Sequence, residues 1–275
     1  MVNVRMCKIL IEIINKPIND LFYNLVSDSK KMIRLCAPYV KQDIVNNIYV
    51  NKRKSVKIDF ISNFSVPNFY KRSSDIEAFK TVMEWEDKVY NCQKLHAKFY
   101  IFDDKYSIIT SSNLTSSGFK KNLEYGVFIN DDDLVHKTLI DFKTICDDKS
   151  TGKINSKKVI QIEKILKNLP IYKDIDLQNY NKHTEVDDIL DVDIKSIKRS
   201  LNSWKRSTFE VVNIIEKNEF SLDDIYVYEE IFLKKYPNNN TIKASIRRNL
   251  QELRDLGLIK FLGNGKYKKL WSSQK

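Results

Sequence analysis

The sequence predicts an α/β layered domain with a mixed sheet, then a helical connector, then a winged helix-turn-helix domain. Three observations predict it. Up to about residue 148, short apolar runs with strand character alternate with stretches of helical periodicity, the pattern of an α/β domain. The segment KSTGKINSK (149–157) is polar and contains Gly152, as a domain boundary does. Beyond residue 200, three helical patterns precede a strand–Gly-Asn-Gly–strand hairpin. The expected domains are 1–148, 149–200 and 201–275.

Each element has a local reason. IRLCAPYV (33–40) is short, apolar and closed by Pro-Tyr, a buried strand. Residues 41–50 suit a helix, and VKIDFIS (56–62) alternates as a second strand. SSDIEAFKTVMEW (73–85) offers a Ser cap and helical spacing at Ile76, Phe79, Val82 and Met83. KLHAKFYIF, SIIT and YGVFI follow as strands, and a helix near 133–145 closes the domain. In the connector, VIQIEKILKNL reads as a helix, while 171–195 is polar and ambiguous.

The last domain opens with a helix at FEVVNIIEK. SLDDIYVYEEIFLKKY is expected as one helix, with Ser221 as N-cap, acids in its first turn and Pro237 as its stop. A third helix runs from near Asn240 or Thr241 to Gly257, a good residue just past a helix end. It places Ile242, Ile246, Leu250 and Leu253 on one side. Asn240, Thr241, Ala244, Arg248 and Gln251 fall opposite, with Arg247 on the flank. An apolar docking stripe backed by polar forks is what a recognition helix needs, since Arg pairs well with guanine and Asn or Gln with adenine. The expected DNA-binding set is Asn240, Thr241, Lys243, Arg247, Arg248 and Gln251, with Lys266, Lys268 and Lys269 of the hairpin on phosphates.

Composition narrows the class. The net charge is +11, suggesting a polyanionic partner. The charge is clustered: residues 234–275 hold eleven Lys/Arg against two acids, leaving about +2 for the other 233 residues. No apolar run approaches the length of a membrane span. ILIEII near the start is short, interrupted by Glu12 and followed by no small-residue cleavage site, so no signal peptide is read. Cys7, Cys36, Cys92 and Cys146 form no CxxC pair, which fits buried free thiols in a reducing cytoplasm and disfavours zinc. His136 and His183 lie in polar contexts and read as surface residues.

The chemistry concentrates in KLHAKFYIFDDKYSIITSSNLTSSGFKKNLEYGVFI. Strand periodicity puts His96, Lys98 and Tyr100 on the face opposite Ala97, Phe99 and Ile101. The runs ending at SSN and LEYGVFI bring Ser111, Asn113 and Glu124 within reach. Taken singly, each of these residues is an ordinary surface or turn residue. Together, an imidazole, an ammonium, a hydroxyl, an amide and a carboxylate can do nucleophilic chemistry on a phosphodiester without a metal. Asp103, at a strand end, reads as structural.

This stretch resembles the HKD motif of the phospholipase D superfamily: His-any-Lys, an Asp five residues on, then Gly-Ser-any-Asn. The matching residues are His96, Lys98, Asp103 and Thr110-Ser111-Ser112-Asn113, with spacing through Glu124 like that of the family's small bacterial nucleases. Thr110 stands where the family has Gly, a bulk that bears on Ser111. The resemblance implies a phospholipase D-like fold and the catalytic set His96, Lys98, Ser111, Asn113 and Glu124, with no metal or other cofactor. His96 would attack phosphorus to give a phosphohistidine that water resolves. Lys98 and Asn113 would hold non-bridging oxygens, and Glu124 would support an imidazole. With one HKD motif per chain, the histidine that protonates the leaving oxygen would come from a second subunit, implying a homodimer through the N-terminal domain.

The C-terminal unit resembles the winged-helix domain of the restriction endonuclease that cuts GATC only when its adenine is methylated. FSLDDIY, YPNNNTI, IRRNLQELRDLGLIKFLGNGKY and the closing KLW carry the likeness. Nothing here resembles that enzyme's metal-dependent catalytic domain. The expectation is a cytoplasmic, metal-independent, site-specific DNA endonuclease of restriction type. It would act on double-stranded DNA, be sensitive to or dependent on adenine methylation, and have a cognate DNA methyltransferase as a further partner. The rivals are a lipid phospholipase, a nonspecific nuclease, and a DNA-binding regulator using the HKD domain as a dimerisation scaffold.

Overall fold

A computed structural model describes residues 10–15, 17–172, 189–190, 192 and 194–272. The chain divides into two compact units, Met1–Asn63 with Glu77–Thr151, and Phe64–Ile76 with Gly152–Lys275.

The first unit is built on a mixed sheet. Its strands are β1 (Leu10–Ile14), β2 (Met32–Cys36), β3 (Lys57–Ser62), β4 (Lys88–Asn91), β5 (Phe99–Phe102), β6 (Tyr106–Thr110) and β7 (Gly126–Asn130). They lie in the order β1-β7-β6-β5-β2-β3-β4. β2, β3 and β4 run parallel, and the other pairings are antiparallel. The helices are α1 (Asn19–Asp28), α2 (Gln42–Asn51), α4 (Ile76–Glu84) and α5 (Asp132–Asp147). One buried cluster joins Cys36, Ile61, Phe99, Ile101 and Ile129 of the sheet to Val135, Leu139 and Phe142 of α5. Phe22 of α1 meets the rings of Tyr100, Phe102 and Phe119.

The second unit holds α3 (Val66–Tyr70), β8 (Gly152–Ile154), α6 (Ser156–Asn168), α7 (Ile194–Ser200) and α8 (Ser203–Ile214). β9 (Glu219–Ser221), α9 (Leu222–Tyr226), α10 (Glu229–Lys235), α11 (Ile242–Asp255), β10 (Ile259–Gly263) and β11 (Lys266–Lys269) complete it. The wing is three-stranded, β10-β11-β9, all antiparallel. Its aromatic row Phe220–Tyr267–Phe261 packs at 5.6 and 5.2 Å between ring centres. Buried Asp255 takes Lys158 of α6 at 2.5 Å and Arg254 at 2.7 Å, tying α6 to α11. Gly152 makes room for that carboxylate, since a Cβ there would lie 2.1 Å from Asp255 Oδ1.

Several expectations are met in detail. Ser221 and Asp224 form a capping box: Ser221 Oγ accepts the Asp224 N–H at 3.2 Å and Asp224 Oδ2 accepts the Ser221 N–H at 2.8 Å. Gly257 has φ +68°, and the Leu258 N–H donates to Leu253 O at 3.0 Å, the Schellman closure. Gly263, Asn264 and Gly265 all have positive φ at the wing tip. Two expectations are corrected. The helix read over 221–236 is two helices, α9 and α10, because the chain turns at Val227–Tyr228 to bury Ile225 and Phe232 separately. The strand read as KLHAKFYIF begins only at Phe99; His96–Lys98 is an extended lead-in whose last carbonyl accepts the Thr110 N–H at 3.0 Å. The ambiguous stretch 171–195 lies largely outside the described residues, as do Cys7 and His183.

Candidate active site and nucleic-acid interface

The extended lead-in puts His96 in solvent and turns Lys98 inward, where it is 8% exposed. Lys98 Nζ donates to His96 O at 2.7 Å and stands 3.5 Å from His96 Nε2. Burial lowers the Lys98 pKa from its usual 10.5, opposed by the Glu124 carboxylate. The face shared by Lys98 and Tyr100 is buried rather than solvated, since Tyr100 is fully covered. The Tyr100 hydroxyl has a partner: it donates to Ser112 O at 2.7 Å.

The opposing wall comes from the β6–β7 connection. Ser111 Oγ donates to Glu124 and accepts the Tyr125 N–H at 3.0 Å. Glu124 Oε1 also accepts Asn122 Nδ2 at 3.1 Å. Within one chain, therefore, Glu124 holds Ser111 and Asn122. Asn113 is half-buried, and its Oδ1 is buried without a hydrogen-bond partner among the described residues. Gly118, in the short π-helix Ser117–Lys121, packs against this wall; a Cβ there would lie 2.7 Å from Ser112 Oγ and 2.9 Å from Asn113 O.

Asp103 is structural, as read. It sits at φ +53° in the β5–β6 turn and accepts the N–H groups of Lys30, Lys31 and Met32 at 2.6, 2.7 and 3.0 Å. Burial works against its charge, but these donors outweigh it and hold its pKa below the usual 3.8. Cys36 and Cys92 are buried free thiols, Cys146 is a partly covered one, and His136 is exposed. Among the described residues, no group of three or more His, Cys, Asp or Glu could hold a metal ion.

In the second unit, α11 buries Ile242, Ile246, Leu250 and Leu253. It exposes Lys243, Ala244, Arg247, Arg248 and Gln251, and Asn240 and Thr241 are exposed just before it. Lys243 lies 3.7 Å from Glu229 and 5.2 Å from the Tyr226 ring centre, and Arg247 donates to Tyr226 Oη at 3.5 Å. On the wing, Lys266 is exposed and Lys268 half-exposed. Lys269 is a correction. It is 1% exposed and its ammonium donates to Ile215 O, so it is spent inside the fold. Strand alternation carries the signal, because Lys269 shares the inward face of β11 with buried Tyr267.

Sequence reasoning gives no site role to Tyr100 or Asn122, and reads Thr110 only as bulk. Asn122 is legible, two residues before Glu124 in an extended run. Tyr100 and Thr110 act on backbone groups that no side-chain pattern reveals.

Residues 22–146 match the family described as "Cardiolipin synthase, PLD-like domain", and residues 200–269 match the Dam-replacing HTH domain. The chain thus carries a phospholipase D-like α/β domain followed by a winged-helix domain like the Dam-replacing HTH domain. Among curated relatives, cardiolipin synthase 2 of Bacillus cereus is 26% identical over 143 residues, 49% of this chain and 27% of that protein's length. Among solved structures, the phospholipase D family member Nuc of Salmonella typhimurium is 18% identical with TM-score 0.45, covering 54% of this chain and 100% of that one. NucT of Helicobacter pylori is 17% identical with TM-score 0.40, covering 50% and 96%.

Proposed function

We propose that the protein is a metal-independent, site-specific DNA endonuclease of restriction type. The observation that carries the reading is the pairing, in one chain, of the His96–Lys98–Ser111–Asn113–Glu124 cluster with a DNA-binding winged helix. His96 attacks phosphorus and displaces the leaving oxygen, giving a phosphohistidine. Water then breaks the P–N bond and returns His96. Lys98 supplies the fixed charge for the non-bridging oxygens, at a depth where solvent screens it little. Asn113 offers its amide N–H as a donor to a non-bridging oxygen. No membrane-crossing helix is present among the described residues, and a lipid substrate would leave the winged helix without a task.

The reaction needs a second histidine to protonate the leaving group, and each chain has one HKD motif. A twofold dimer supplies it, with the two His96 side chains facing across the axis. Among the described residues, an exposed apolar strip on the α5 side of the sheet offers a surface for a partner copy. Ile13 and Ile109 flank Val127 in register, Ile11 continues the row, and these isoleucines are 59%, 43% and 54% exposed. A second copy is the occupant we assign to it.

Arg247, Arg248 and Gln251 select the sequence, Lys266 and Lys268 hold phosphates, and adenine methylation in a GATC-like site alters cutting. Digestion of plasmid grown with and without adenine methylation, in excess EDTA, tests the reading. Discrete fragments that differ between the two plasmids are expected. Magnesium-dependent cutting refutes the mechanism, and a smear refutes site specificity.

A further inference from the structure

Thr110 is the residue at which this chain departs from the Gly of the motif it resembles, and its surroundings are built around it. Its pair across β6–β7 is Gly126. A Cβ on Gly126 would lie 2.5 Å from Ile109 O and 2.9 Å from Thr110 Cβ, so main chain and the threonine side chain together fill the space opposite. Thr110 Oγ1 accepts the Ser112 N–H at 3.1 Å and is 3.5 Å from Tyr125 O, the carbonyl that also takes the Ser111 N–H at 3.0 Å. On the other side of the same residue, Ser112 O receives the Tyr100 hydroxyl. Both main-chain polar groups of Ser112 are therefore held by side-chain hydroxyls, one on a residue 9% exposed and one on a residue fully covered. Ser111 and Asn113 flank Ser112, so their directions toward His96 depend on how the two peptides of Ser112 are set.

We infer that Thr110 is a positioning residue: its hydroxyl, acting through the Ser112 N–H and jointly with Tyr100, fixes the loop that presents Ser111 and Asn113 to the phosphate. This rests on the catalytic reading of that cluster. A glycine cannot supply the anchor, because it has no acceptor to offer the Ser112 N–H.

Thr110→Val keeps the shape and deletes the hydroxyl; Thr110→Ser keeps the hydroxyl and deletes the methyl. Tyr100→Phe removes the other anchor and serves as a second route if Thr110→Val does not fold. Two readouts are taken at 25 °C on the full chain: kcat for DNA cleavage, and Kd for orthovanadate, a phosphate-like oxyanion, by calorimetry. The expectation is a kcat at least tenfold lower and a vanadate Kd several-fold weaker for Thr110→Val and for Tyr100→Phe. Recovery to within about twofold is expected in Thr110→Ser, with KM for DNA little changed. In the double variant the losses combine to less than their product, as for two groups holding one loop. Wild-type kcat and vanadate affinity in Thr110→Val or in Tyr100→Phe overturn the inference. So does a Thr110→Ser variant as impaired as Thr110→Val. Failure of the wild type to cleave DNA defeats the nuclease reading instead, while the vanadate series still decides whether Thr110 shapes an oxyanion site.

Discussion

At the scale of single residues, some groups are proposed to do chemistry and others to hold them in place. His96→Ala is expected to abolish cleavage while leaving DNA affinity, measured by gel shift, near that of the wild type. Asn113→Ala is expected to lose about 10²–10³ in kcat, the usual cost of one oxyanion donor. Lys98 is both buried and charged, and burial lowers its pKa. Its folded pKa lies below its unfolded one, so the folded state binds fewer protons and its charge weakens stability at neutral pH. Lys98→Met is therefore expected to lose activity without lowering Tm. The alkaline limb of the wild-type pH–rate profile is expected below the 10.5 of an ordinary lysine. Asp103 works in the opposite sense. Its pKa is depressed, so its contribution is present above the unfolded value of about 3.9 and is lost as pH falls through the folded one. Asp103→Ala is expected to cost about 2–4 kcal/mol in urea unfolding at pH 7 and progressively less toward pH 2.

At the scale of elements, strand and helix periodicity accounts for most of the fold and fails where backbone groups decide. α2, β3, α4, β6, β7, α5 and α11 lie close to where their apolar spacing puts them. β1 is hard to read because an edge strand exposed on both faces has no alternation. α1 is legible in the spacing of Phe22, Leu25 and Val26, although no helix is assigned there from the sequence alone. In the wing, the number of basic residues masks the alternation that buries Lys269. The difference is measurable. Lys266→Ala and Lys268→Ala are expected to weaken binding to any DNA and to reduce the salt slope by about 1 each. Lys269→Ala is expected to lower the stability of the unit instead, leaving the Ile215 carbonyl unmatched. Arg248→Ala, on the exposed face of α11, is expected to cost roughly 1–3 kcal/mol of discrimination between sites and to relax specificity at one base position.

At the scale of the whole molecule, motif spacing makes the candidate site legible in the sequence, because five polar residues in order constrain chemistry more tightly than composition does. How the site is completed is not legible there. Within one chain Glu124 is engaged by Ser111 and Asn122, and His96 stands exposed. A dimer with one shared site cuts one strand at a time. Wild type mixed with excess His96→Ala is then expected to form heterodimers of little activity, seen as loss of cleavage well beyond simple dilution. Heterodimers keeping half the activity, or an active monomer in sedimentation, would remove the shared site.

The central claim is that His96 breaks the phosphodiester by bonding to its phosphorus, with no metal required. The measurement that reaches it most directly is mass spectrometry of the His96 peptide after rapid alkaline quenching of a cleavage reaction run in excess EDTA. The account predicts a DNA-derived phosphoryl group on His96 that appears before product, is labile to acid, and is absent from His96→Ala. Full cleavage with His96 unmodified at every time point, or cleavage that waits for magnesium, would contradict it.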